Sequence, residues 1–191
     1  DHAEQFGEVR LCTTPGSSAY DAFVCRMLRE WPRTAFFVMN TKTNFFAHPS
    51  RFAFCGPDGV LCREAALGPW QETRDAAEHA YDRSAECGFT SFVGYEWTGS
   101  AGSRNLHRNV IFRGDVVPET PTTYLEANSA EALWQALRRD CLEAGTGCDV
   151  LTIPHNSNLS GGLLFETVRA DGRPLTRDDA ETRAFFEPLV E

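Results

Sequence analysis

Phe89-Thr-Ser-Phe-Val-Gly-Tyr-Glu-Trp97, then Thr98-Gly-Ser-Ala-Gly-Ser-Arg-Asn105, then His107-Arg-Asn-Val-Ile-Phe-Arg113 is the stretch on which the reading of this chain turns. Its flanks are rich in aromatic and β-branched residues, which suit a pleated, half-buried backbone, and its middle is a flexible Gly/Ser connection. Two strands are expected, Phe89–Trp97 and His107–Arg113. If they pair as a hairpin, Glu96 and His107 meet at one end of the sheet. Outward toward the N-terminus, a helix is expected from Gly68 with Pro69 as its first helical residue, where a missing N–H costs nothing. Trp70, Thr73, Ala77, Ala80, Tyr81 and Ser84 recur at helical spacing, and Gly88 ends the run. Toward the C-terminus, Asn128 with Glu131 reads as a capping box, and Leu133, Trp134, Leu137, Cys141 and Leu142 as the stripe of the helix that follows. Asp149–Ile153 reads as a short buried strand ending at Pro154, and Thr176 as the cap of a last helix, Arg177–Glu187. Before Gly68 the chain is dominated by turn signals and reads as irregular. Within it, Tyr20–Trp31 is a candidate helix ended by Pro32, and Thr34–Met39 a short strand or the start of another helix. Helices alternating with strands and polar loops predict an α/β protein whose sheet is covered by helices.

The composition narrows the function. The chain has 191 residues, 42% hydrophobic and 24% charged, in the range of one globular domain and outside that of disordered chains. Its formal charge of −9 argues against a nucleic-acid phosphate backbone as partner. No apolar run approaches the ~20 residues of a membrane span; the longest is Ala35–Met39. The seven cysteines form no C-x-x-C pair, which disfavours zinc ribbons and fingers. They stand instead as near pairs, Cys12 with Cys25, Cys55 with Cys62 and Cys141 with Cys148, leaving Cys87 over. Three short-loop disulfides and an exported, periplasmic protein are expected; reduced thiols would mean a cytoplasmic one. The chain starts at Asp1 without Met and closes on Pro188-Leu-Val-Glu191, which reads as the start of a strand, so a window on a longer protein is expected.

The five histidines sort by their neighbours. His79 shares a helix face with Glu72 and Asp75 and reads as solvated, and His48, before Pro49, reads as a packing or capping residue. His155 lies just past a buried strand, where α/β folds collect polar site residues. His107 opens a strand, Glu96 nearly closes one, and His2 follows Asp1. Each alone reads as a satisfied core or capping group. Together, imidazoles and a carboxylate at strand ends suit a divalent metal. No G-x-S-x-G elbow, G-x-G-x-x-G loop or P-loop is present to support another chemistry.

Four motifs, Asp1-His-Ala-Glu4, Gly94-Tyr-Glu-Trp-Thr98, Asn105-Leu-His-Arg-Asn-Val-Ile-Phe112 and Ile153-Pro-His-Asn-Ser-Asn-Leu-Ser160, together resemble the domain of unknown function 3604 family. That family is similar to the polymerase-and-histidinol-phosphatase (PHP) superfamily of metal-dependent hydrolases. The resemblance implies a partial, distorted (β/α)7 barrel, a TIM-like architecture, with metals at the strand ends. By motif, His2, Glu96, His107 and His155 resemble metal ligands, with Asp1 an orienting neighbour. The superfamily's early His-x-His and late Asp-x-His do not occur in residues 1–191, so the resemblance implies a single incomplete domain.

The function expected from all this is a metal-dependent hydrolase, of a phosphoester above all, using Zn, Mn or Fe to activate water. Glu96 and Arg108 are the candidate catalytic residues, and Arg108 and Asn158 the candidate contacts to a small anionic substrate. The rival expectation is a non-catalytic exported module that binds an anionic ligand on the same fold.

Overall fold

The computed structural model describes residues 2–43, 49–100, 103–156, 158–165, 169 and 172–187. In chain order the elements are α1 (Phe6–Thr13), α2 (Phe23–Glu30), α3 (Pro32–Thr43), α4 (Val60–Ala80), β1 (Gly94–Trp97), β2 (Arg108–Phe112), α5 (Ala130–Leu137), β3 (Val150–Pro154) and α6 (Arg177–Phe186).

The strands form one open sheet in the order β1-β2-β3, antiparallel throughout. Trp97 lies opposite Arg108, and Arg108 opposite Pro154. An isolated parallel bridge from His2 to Glu96 adds one step at the β1 edge. This arrangement overturns the expected partial (β/α)7 barrel and the α/β alternation behind it, because a barrel of that kind needs parallel strands joined by crossovers. The cause lies in the connections. The chain after β1 turns straight back into β2. After β2, helix α5 and a π-helical turn, Arg138–Leu142, return it to the end where β2 stopped, so that Val150 starts β3 opposite Phe112. A strand that starts where its neighbour ended runs antiparallel to it.

Alternation along the strands sends one set of side chains into the core. Tyr95, Trp97, Val110, Phe112 and Val150 pack against Trp70 of α4, Leu133, Trp134 and Leu137 of α5, and Phe186 of α6. Each fully buried large side chain contributes on the order of 2–3 kcal/mol. The three buried tryptophans each satisfy the indole N–H: Trp70 donates to Pro118 O, Trp97 to Ala127 O and Trp134 to Thr152 Oγ1.

The N-terminal third, expected to be irregular, is helical. Ala35, Met39 and Thr43 are buried at helical spacing, so Thr34–Met39 belongs to α3, which Pro32 opens. Helix α4 begins at Val60, not at Pro69, which lies inside it. The earlier start is held by packing: at Gly7 of α1 the backbone of Cys62 comes so close that no Cβ fits, and the Cys55–Cys62 bridge ties the same turn. The cap of α5 is Ser129, one residue past Asn128, with its side chain accepting from Ala132 N. The cap of α6 is Thr176 as expected, in a reciprocal box with Asp179.

All three expected disulfides are present, with Cα–Cα distances of 4.5, 4.9 and 5.0 Å, and Cys87 is free and exposed. Three such bridges fit an exported protein. No helix among the described residues is long and apolar enough to cross a membrane.

Candidate metal centre

The face of the sheet opposite the core carries the polar cluster. Period-2 alternation puts Glu96 and Thr98 of β1 and its extension, His107 and Asn109 at the start of β2, and Ile153 and His155 at the end of β3 on one side. His155 N donates to His107 O, which continues the β2–β3 ladder by one pair and sets the two imidazoles side by side. On the other flank, the bridge from His2 to Glu96 and a hydrogen bond from Ala3 N to Glu96 O bring in the N-terminal segment. Four consecutive backbone segments therefore present His2, Glu96, His107 and His155 in a row.

Glu96 is the hub. His107 Nδ1 donates to its Oε1 at 2.7 Å, His2 Nδ1 lies 3.5 Å from the same oxygen, and His155 Nε2 lies 4.0 Å from Oε2. The rings of His2 and His107 are 5.9 Å apart and those of His107 and His155 6.1 Å apart. Glu96 and His107 are largely enclosed, with side chains 13% and 14% exposed, whereas His2 and His155 stay open to solvent at 58% and 38%. Partial burial pushes the Glu96 carboxyl up. The hydrogen bond from His107 and the charges available on the three imidazoles outweigh that effect and hold it below the usual glutamate range.

Two hydroxyls that sequence reasoning passed over complete the cluster. Thr98 Oγ1 lies 2.7 Å from His2 Nδ1, and Ser100 Oγ lies 3.1 Å from His107 Nε2. Their signal was available, since Thr98 and Ser100 follow Glu96 at intervals of two. Glu4 was also missed; its buried Oε1 accepts from Thr98 N and Tyr124 N and pins the end of β1. A glutamate in a short segment carries no local mark of that role.

The donor set fits a divalent cation. Ligand bonds of ~2.0–2.1 Å in a tetrahedron put donors about 3.3 Å apart, and the candidate donor atoms of His2, Glu96 and His107 all lie within 4.8 Å of one another. Imidazole and carboxylate together suit Zn, Mn or Fe. A second group, Glu8 with Cys55 and Cys62, does not fit, because both sulfurs are spent in a disulfide.

Of the other expected site residues, Arg108 is not brought to this cluster. Arg108 alternates to the core face, where it is buried, donates from Nε to Glu187 Oε1 at 3.0 Å, and also bonds Leu106 O. Asn158 is exposed in the turn after β3. Asp1 and His48 lie outside the described residues, and His79 is exposed on α4 as expected.

Comparison with curated proteins and with solved structures finds no match. A match to the family described as protein of unknown function, DUF3604, runs over residues 1–191. On that match the chain belongs to the DUF3604 family.

Proposed function

We propose that this chain forms part of a metal-dependent hydrolase site that acts on a small anionic phosphoester. One observation carries the reading: three imidazoles, from three separate segments, converge on the single carboxylate of Glu96 at the strand ends. His2, Glu96, His107 and His155 would hold the cation, of which Zn, Mn and Fe are the candidates. A divalent cation bound there supplies a Lewis acid for a phosphoryl oxygen and lowers the pKa of water to near neutrality. Glu96 provides the negative charge that keeps the site selective for cations. Thr98 and Ser100 orient His2 and His107 through their hydroxyls, as outer partners of ligating histidines do. The relation to the PHP superfamily rests on the motifs around these same four residues. The disulfides support export, and the periplasm is the compartment we assign.

The test is hydrolysis of 4-nitrophenyl phosphate by the full chain with Mn or Zn. Turnover should vanish on chelation and return with added metal. Glu96→Gln should lower it by more than the roughly 10–100-fold that loss of an outer partner costs. Turnover indifferent to chelator, or to Glu96→Gln, overturns the reading.

A further inference from the structure

On the opposite face of the sheet from Glu96 lies a cavity of about 300 Å³ that the cluster does not explain. At its floor the Arg108 guanidinium lies over Trp97 and Trp134, 6.0 and 5.9 Å from the ring centroids, and both tryptophans are almost wholly buried beneath it. Leucines close it, Leu163 and Leu164 among them. Four arginines, Arg104, Arg108, Arg169 and Arg183, line it against one carboxylate, Glu131.

The partners of these arginines decide what the cavity can take. Arg169 is neutralised by Asp179, and Arg183 by Glu187. Arg108 spends Nε on Glu187 and Nη1 on Leu106 O, leaving Nη2 without a partner among the described residues. Arg104 pairs with no described residue; its stem runs beside Gly161. Among the described residues one guanidinium is thus unspent and another partly so, at the edge of a leucine-lined space. The start of α5 adds backbone N–H groups: Ser129 caps Ala132 N, while Ala130 and Glu131 on the cavity wall have no intrahelical acceptor for theirs. The volume is at the small end of ligand pockets, about 300–1,000 Å³, which suits one or two rings.

We propose that this cavity is a second ligand site, for a small organic monoanion with an apolar ring: the ring among Leu106, Leu163 and Leu175, above the tryptophans that Arg108 covers, and the anion on Arg104 and the free edge of Arg108. The site is independent of any cation at Glu96. The two nonetheless share one piece of backbone, since Thr98, Ser100 and His107 serve the cluster while Gly99, Arg104 and Leu106 serve the cavity.

Benzoate is the probe, titrated into the ¹⁵N-labelled full chain with chelator present, and the indole N–H signals are the readout. Saturable shifts of the Trp97 and Trp134 signals are expected, with those of Trp31 and Trp70 still. Benzyl alcohol and acetate, each carrying half of the ligand's chemistry, should bind at least tenfold more weakly. Arg104→Ala, at an exposed position, should weaken benzoate about tenfold. The proposal fails if benzoate leaves those two signals unmoved or moves all four alike. It fails equally if benzyl alcohol matches benzoate, or if Arg104→Ala binds as wild type does. None of these outcomes depends on whether the chain hydrolyses a phosphoester.

Discussion

Replacing Arg108 by Met separates a structural arginine from a substrate-binding one. Glu187 is buried, its side chain 0% exposed, and it accepts from Arg108 Nε at 3.0 Å and from Arg183 Nε at 3.3 Å. Removing one partner of a buried ion pair costs about 3–5 kcal/mol, because the other charge is left desolvated. Arg183 keeps hold of Glu187, which puts the loss at the low end, about 3 kcal/mol. The contacts of the guanidinium with Trp97 and Trp134 add about 0.5–1 kcal/mol each at most, since both lie near the limit of cation–π range. Urea unfolding of the oxidised protein, followed by tryptophan fluorescence and circular dichroism, measures the change. Arg108→Met should lose about 3–4 kcal/mol, and adding Glu187→Gln should return a large part of it, giving a favourable coupling in the double-mutant cycle. Affinity for divalent cations should not change, since Arg108 faces away from Glu96. A loss under about 1 kcal/mol, or no coupling with Glu187, would refute the reasoning, which takes 1 kcal/mol as the scale of an exposed pair.

Further outcomes follow from other parts of the molecule. Burial raises the Glu8 carboxyl above its usual range, against the opposing pull of Arg51 2.8 Å away. A raised folded value means that the Glu8 contribution is full below the ordinary glutamate range and is lost as pH climbs through the folded value. Glu8→Gln should therefore flatten the fall in stability from pH 4 upward, and an unchanged pH slope in urea titrations would contradict this. Removing the Cys141–Cys148 bridge as a double Ser variant should cost about 2 kcal/mol, as loop entropy predicts for so short a loop; no loss in the same assay would mean the bridge constrains nothing. Gly7→Ala should destabilise by about 1–3 kcal/mol, because α1 must move off the Cys62 backbone. A neutral result would show that the two helices can separate freely.

What the sequence discloses about this molecule divides along physical lines. The disulfides were legible because cysteines close in sequence can bridge with little chain rearrangement, and all three near pairs do. The cluster was legible in outline because β alternation is strict: Glu96, His107 and His155 fall on one face once the strands are paired. Strand direction was not legible, because α5 lies between β2 and β3 as a crossover helix would, and only the return path through Arg138–Leu142 makes the pair antiparallel. The N-terminal helices were hidden for a different reason. Helices α1 and α2 have eight residues each, too short to be stable alone, and they are held by the Cys12–Cys25 bridge and by packing on Met39 rather than by long apolar stripes. The fate of Arg108 was decided by its partner. Position 108 alternates away from His107, and its counter-charge, Glu187, lies at the far end of the chain, where nothing in the local sequence points to it.

The account turns on whether His2, Glu96, His107 and His155 hold a divalent cation. Equilibrium dialysis of the full chain against Zn and against Mn, with bound metal counted by elemental analysis, measures this without reference to any substrate. The wild-type chain should retain at least one equivalent. Glu96→Gln and His107→Ala should each retain far less, with circular dichroism showing the fold intact. A wild-type chain that retains no metal, or variants that retain as much as wild type, would contradict the account.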